Sequence, residues 1–217
     1  MKLETQCLHA GYSPESTTNA CAVPLYKTSS FVFNNTEHAA NLFGLRELGN
    51  IYTRLMNPTT DVLEQRVAAM EGGAAGLGIA SGTSAVFYSI INIAQEGDEI
   101  VSANNLYGGT YTQFNDILPK FGIKVKFVDP NDPANFAAAI TEKTKAVFCE
   151  SVSNPGLDVA DIKAIANVAD DHGIPLIVDS TFSTPYLTNP IEHGASIVIH
   201  SLTKWMGGHG NGIGGVV

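Results

Sequence analysis

With 217 residues, the chain is long enough for one large α/β domain or two small ones, and for a sizeable buried core. Charged residues make up 15% of it, against about 25% in an average soluble chain, while 44% are hydrophobic, which points to more buried surface than a monomer of this size provides. The net charge of −9 leaves no basic footprint for nucleic acid or for an anionic membrane surface.

Cys7, Cys21 and Cys149 are far apart and have no CxxC spacing, which excludes a disulfide scaffold or zinc ribbon and fits a reducing cytosol. The N-terminus has no apolar signal region and no apolar run is long enough to span a bilayer, so a soluble, cytoplasmic protein is expected.

Residues 1–55 are rich in Thr, Ser, Asn and Pro, with short extended pieces such as Ser30-Phe31-Val32-Phe33 and one helix predicted over 36–48. Their apolar residues are too scattered to close a core. This stretch is therefore expected to be an N-terminal arm, followed by a large domain over 56–217.

From Asn57 the pattern becomes regular. Asn57-Pro58-Thr59-Thr60 opens a helix with proline in its first turn, and Gly72 closes it. A strand is predicted over 74–80, a helix over 82–94, a strand over 99–103, a helix over 110–121 and a strand over 125–128. Asp132 caps a helix running to 140, a strand covers 146–149, and a helix over 161–172 stops at Gly173. Apolar strands follow over 176–179 and 196–199, and Gly214-Gly215-Val216-Val217 reads as the opening of another. Helices alternating with strands of continuous apolar character predict an α/β fold built on a mainly parallel sheet with helices on both faces. Ligands of such sheets gather at the carboxyl ends of the strands.

Those ends carry the polar and glycine-rich residues. Ser81-Gly82-Thr83 joins a strand to a helix N-terminus, where free N–H groups and the helix dipole favour an anion, although the same turn suits an ordinary helix cap. Ser153-Asn154-Pro155 follows the strand that ends near Glu150, and Asp179 ends Leu-Ile-Val-Asp. Ser201-Leu202-Thr203-Lys204 follows another apolar strand, and Trp205 and a run of glycines come after it. A lysine partly desolvated in such a loop can become a nucleophile toward a carbonyl compound. An anion cradle, a buried-strand carboxylate, hydroxyls and a lysine on one rim are what pyridoxal 5'-phosphate requires.

On these stretches, together with Val23-Pro24-Leu25-Tyr26, Tyr52-Thr53-Arg54, Asn57-Pro58-Thr59 and Leu106-Tyr107-Gly108-Gly109-Thr110, the chain resembles the trans-sulfuration (Cys/Met metabolism) family of fold-type I pyridoxal-phosphate enzymes. The resemblance implies that Lys204 carries the cofactor and shuttles protons, and that Asp179 pairs with the pyridinium nitrogen. It implies that Tyr107 stacks on the ring and that Asn154 lies near its 3'-oxygen. Gly82, Thr83, Ser201 and Thr203 would form the phosphate cup. Tyr52 and Arg54 would cross to a neighbouring subunit's phosphate, with Tyr52 also serving at the substrate γ-carbon. A homo-oligomer, a dimer of dimers, is implied as well. No metal site is expected, because His200 and His209 bracket the lysine loop nine residues apart with no carboxylate or cysteine ligand set.

Thr203-Lys204-Trp205-Met206-Gly207-Gly208-His209-Gly210 and Leu106-Tyr107-Gly108-Gly109-Thr110-Tyr111 are most similar to the O-acetylhomoserine sulfhydrylase branch. That branch implies γ-replacement on O-acetyl-L-homoserine with sulfide or a small thiol. A γ-lyase of the methionine or cystathionine type and a cystathionine γ-synthase are the alternatives. Gly109, where methionine γ-lyases typically carry cysteine, weighs against that branch, and Trp205, where cystathionine γ-synthases and β-lyases usually carry tyrosine, weighs against those. A dinucleotide module is a further possibility, with Gly76-Leu77-Gly78 as its glycine fingerprint and Asp98 as its ribose acid, but those glycines fall inside the predicted strand. The resemblance also implies that family members continue past Val217, into a C-terminal domain bearing the arginine that holds the substrate α-carboxylate.

Overall fold

Continuous runs of β-branched and aromatic residues, bounded by turn formers, build the sheet because such strands bury both faces. The computed structural model describes residues 1–217. Its strands are β1 (Gly78–Ile79), β2 (Glu99–Ala103), β3 (Lys124–Val128), β4 (Thr144–Glu150), β5 (Leu176–Asp179), β6 (Ile197–Ser201) and β7 (Gly215–Val216). They form one sheet in the order β1-β7-β6-β5-β4-β2-β3. The pairs among β2 to β6 are parallel, whereas β7 runs antiparallel to both β1 and β6. The mainly parallel α/β fold expected from the sequence is the one observed.

The helices are α1 (Leu3–His9), α2 (Thr36–Phe43), α3 (Pro58–Glu71), α4 (Gly82–Ile91), α5 (Gly108–Thr112), α6 (Ala134–Ala139), α7 (Ile162–Asp171) and α8 (Thr184–Leu187). The boundaries that differ from the predicted ones have local causes. α2 stops at Phe43 because Gly44 caps it and Leu45 turns to φ +53°. The predicted helix over 110–121 begins earlier, as α5, passes into a π turn (Gln113–Ile117) and ends as a 3-10 turn (Leu118–Phe121). Pro119 has no N–H to give to the carbonyl one α-turn back, so the regular ladder cannot run through it. The strand predicted over 74–80 shrinks to β1, because it pairs only where residues 215–217 lie beside it. α1, α8 and a 3-10 turn at Pro190–His193 are too short to leave a periodic signal.

The chain divides into two compact units, Met1–Met70 and Glu71–Val217. In the first, side chains tie the start of α3 to the extended segment before it. Asn57 Nδ2 donates to the Tyr26 carbonyl (2.9 Å) and Thr59 Oγ1 to the Pro24 carbonyl (2.7 Å). Arg66 Nε donates to the Ala10 carbonyl (2.9 Å), which ties α3 to the end of α1. In the second unit the core lies between the sheet and its helices. Phe114, Phe136, Phe148, Ile165 and Ile177 are fully buried there, and Phe114 meets Phe148 edge to face at 4.9 Å. No helix is long and apolar enough to cross a membrane.

One buried polar pair stands out in this unit. His200 Nε2 is bonded to Glu71 Oε1, with side-chain exposures of 1% and 5%, while His200 Nδ1 has no partner. The His200 side chain thus depends on a single carboxylate, just before the chain enters the Ser201–Lys204 turn. Removing one member of a buried pair strands the other. Glu71→Ala is expected to lower stability by about 3–5 kcal/mol, read from urea unfolding midpoints, whereas substitution of exposed Glu142 is expected to be close to neutral.

Candidate active site

The turns that follow β1, β2, β4, β5 and β6 open on one cavity of about 610 Å3 at the carboxyl ends of the parallel strands. At one wall stands the N-terminus of α4. Ser81 Oγ caps it by accepting the Ser84 N–H (3.1 Å), which leaves the Gly82 and Thr83 N–H groups without carbonyls one turn back. The helix end is pressed against the end of β6: a Cβ on Gly82 would lie 2.5 Å from Ser201 Cβ. Only glycine permits this approach, and it brings the helix N–H groups and the Ser201 hydroxyl to the same wall. The Ser201 N–H donates to Thr181 Oγ1 (2.8 Å), and the Gly214 N–H donates to Thr203 Oγ1 (3.1 Å), which fixes both hydroxyl-bearing residues.

Lys204 lines the cavity from the turn after β6. Its N–H donates to the Ser201 carbonyl (3.2 Å), and its own carbonyl accepts the Gly208 N–H (2.8 Å). The sequence suggested a partly desolvated lysine. In this chain the side chain is exposed, because its neighbours are an exposed Trp205 and glycines.

Asp179 ends β5 and lies in register beside Glu150, the last residue of β4. Its Oδ1 accepts the Thr181 N–H (3.0 Å), and it makes no ion pair. Burial pushes its carboxyl above the usual range, against the lowering effect of the Thr181 bonds and of His200. Glu150 is 7% exposed. Burial, with the charge of Asp179 behind it, pushes its carboxyl up to about 7, opposed by N–H bonds from Tyr107 and Asn154. Cys149, immediately before it, is buried, and its thiol is pushed up to about 12 by burial and then by these two acids, so it behaves as a hydrophobe.

Tyr107 and Asn154 line the same cavity from the turns after β2 and β4, both exposed. A Cβ on Gly109 would lie 2.5 Å from the Tyr107 ring, so the ring lies over its own glycine turn. Behind the acids, the hydroxyls of Ser151, Ser180 and Ser183 form a buried cluster, with Ser183 Oγ 2.8 Å from Ser151 Oγ and 2.7 Å from Ser180 Oγ. This cluster holds the turns after β4 and β5 together.

The cavity therefore collects Lys204, Asp179, Gly82, Thr83, Tyr107, Asn154, Ser201 and Thr203. Tyr52 and Arg54 belong to the Met1–Met70 unit, where the Arg54 guanidinium lies 5.2 Å from the Tyr52 ring centroid. Asp98 precedes β2, at the amino ends of the strands, and pairs with Lys145 at 3.7 Å. It lies at the opposite edge of the sheet from the cavity, which removes it as a ribose ligand. Glu150 is the residue that the sequence reading passed over. The available signal was its position: like Asp179, it is an acid that closes an apolar run, here Ala146-Val147-Phe148-Cys149.

Residues 4–217 match the family described as Cys/Met metabolism PLP-dependent enzyme. The chain is 57% identical to O-acetyl-L-homoserine sulfhydrylase of Leptospira meyeri, over all of this chain and 49% of that protein. It is 54% identical to homocysteine synthase of Schizosaccharomyces pombe, over 99% of this chain and 50% of the relative. Among solved structures it is similar to an O-acetylhomoserine (thiol)-lyase from Campylobacter jejuni that carries N'-pyridoxyl-lysine-5'-monophosphate. That similarity has a TM-score of 0.97 and 44% identity, over 100% of this chain and 53% of the other. The chain thus spans about half the length of the relatives it matches.

The two strand-end acids impose a pH dependence. Glu150 holds its proton more tightly folded than unfolded, so between about 4.5 and about 7 the folded state binds more protons than the unfolded one. Stability is expected to fall as pH rises through this window and to level off above it, with Asp179 acting in the same direction. Urea midpoints measured across the window should show this slope, and Glu150→Gln should flatten it; a midpoint that climbs with pH would contradict it.

Proposed function

Because the chain belongs to the Cys/Met metabolism family of PLP-dependent enzymes, we propose that the whole protein carries out γ-replacement on O-acetyl-L-homoserine. Sulfide or a small thiol displaces acetate from Cγ, giving homocysteine or methionine, a step of methionine biosynthesis and sulfur metabolism. The observation that carries this reading is the convergence of an amine, a half-buried unpaired carboxylate and a glycine-enabled helix N-terminus on one cavity.

These residues fit pyridoxal 5'-phosphate. Asp179 is a half-buried carboxylate with no cation paired to it, and a protonated ring nitrogen would supply one. The Gly82 and Thr83 N–H groups, with the Ser201 and Thr203 hydroxyls, would hold the phosphate. Lys204 would attach the cofactor through Nζ, Tyr107 would cover one ring face, and Asn154 would approach the ring oxygen. Bound there, the cofactor supplies an electron sink for the substrate's Cα carbanion.

The protein's own groups then handle protons and position. Lys204 Nζ would take the Cα proton and assist loss of a Cβ proton, which prepares Cγ to release acetate and accept the sulfur nucleophile. Asp179, held by Thr181, would keep the ring nitrogen protonated. Tyr52 and Arg54 would complete the phosphate site of a neighbouring subunit in a homo-oligomer, a dimer of dimers, with residues 1–55 as the arm that reaches across and 56–217 as the cofactor-binding domain. A guanidinium fork suits a phosphate dianion. A cytoplasmic location accords with the three free cysteines.

Two measurements test this reading. Borohydride reduction followed by peptide mapping should place a pyridoxyl group on the peptide that carries Lys204, and Lys204→Ala should lose both that label and turnover. Turnover of O-acetylhomoserine should require sulfide or a small thiol. Formation of 2-oxobutyrate without a sulfur nucleophile would instead identify a γ-lyase.

A further inference from the structure

Glu150 takes no part in the chemistry above, yet the fold keeps a nearly fully buried acid at the edge of the cavity. Its two oxygens do different work. Oε1 accepts the Tyr107 N–H at 2.7 Å, and Oε2 accepts the Asn154 N–H at 3.2 Å. These N–H groups belong to separate loops, one after β2 and one after β4. We propose that Glu150 is a positioning residue, a two-oxygen clamp that sets the Tyr107 and Asn154 loops at the spacing needed to receive the cofactor ring.

The position of Tyr107 follows directly from the clamp. Its ring lies against Gly109, two residues along the same loop, so the ring moves with the loop backbone that the clamp holds. Asn154 is exposed at the rim, and its N–H is likewise held by the buried acid. A further bond joins the same two loops, Asn105 Nδ2 to Asp158 Oδ2 at 3.1 Å, but it is exposed and water competes for it.

The clamp calls for a carboxylate. Two backbone donors point at one side chain, and only a group with acceptors at both ends and no donor satisfies both, which for Glu150 is the ionised form reached above about 7. An amide of the same shape would satisfy one donor and present its own N–H to the other. N–H bonds to an ionised acceptor are also the stronger kind. The cost of burying this charge beside Asp179, which raises the Glu150 carboxyl, is the counterpart of holding two loops from one point.

The consequence for cofactor binding rests on the proposed function, whereas the clamp itself does not, and the tests separate the two. In the intact protein without cofactor, amide exchange at Tyr107 and Asn154 should be slow although both residues are exposed. Exchange at open-loop rates would overturn the clamp. In Glu150→Gln, at least one of the two amides should lose protection while the interiors of β2 and β4 keep theirs. Pyridoxal 5'-phosphate should bind this variant about tenfold to a hundredfold more weakly, with an altered visible circular-dichroism band. Affinity, band shape and protection all equal to the unsubstituted protein would sink the proposal. If Glu150→Gln does not fold, the exchange rates of the unsubstituted protein decide alone. Failure of that protein to bind pyridoxal 5'-phosphate would count against the proposed function, and exchange would still judge the clamp.

Discussion

Parallel pairing of β4 with β5 puts Glu150 beside Asp179 at the carboxyl edge of the sheet, and the rest of the upper surface is arranged around these two acids. Neither makes an ion pair, and both are raised by burial. A sheet edge with two uncompensated acids is costly unless their lone pairs are filled and positive charge is available. Backbone N–H groups fill those of Glu150, and Thr181 partly fills those of Asp179. What remains is an acidic floor with capacity for a cation, which suits a protonated heterocyclic nitrogen.

The wall formed by α4 and the end of β6 has the complementary character. The α4 N-terminus offers free N–H groups, and it reaches Ser201 only because residue 82 has no side chain. Gly215 serves the same approach from β7, since a Cβ there would strike the Ser81 carbonyl. The antiparallel β7, inserted between β1 and β6, thereby brings the first and sixth strands to the same wall. One part of the cavity favours an anion and another a cation, and the Lys204 amine lines the same cavity from the turn after β6. A ligand with phosphate at one end and a basic ring nitrogen elsewhere matches this polarity. The family to which the chain belongs is defined by such a ligand.

Much of this was legible in the sequence because the relevant signals are local. Asp179 could be read because it ends Leu-Ile-Val-Asp, a run that has to be a buried strand, and a polar residue at such a terminus faces the ligand edge. Gly82 and Thr83 could be read from the strand–Ser-Gly-Thr–helix pattern, and Lys204 from the hydroxyl-rich turn that follows an apolar strand. β2 and β5 fall where predicted, since apolar periodicity and flanking turn residues determine them without outside help. Glu150 occupies the same kind of position as Asp179, but its function depends on two N–H groups from different loops, and no local pattern records such a meeting.

The amino-acid sequence by itself determined the α/β class, the parallel core strands and the residues that cluster at the strand ends, because each follows from periodicity, capping and turn chemistry within a few residues. Tertiary structure alone decided the order of strands, the insertion of β7 between β1 and β6, the shortening of β1 and the bond between His200 and Glu71. It alone decided the pairing of Glu150 with the Tyr107 and Asn154 loops. These depend on which distant segments come within hydrogen-bonding distance, and that is settled by the packing of the whole sheet rather than by the preference of any one stretch of chain.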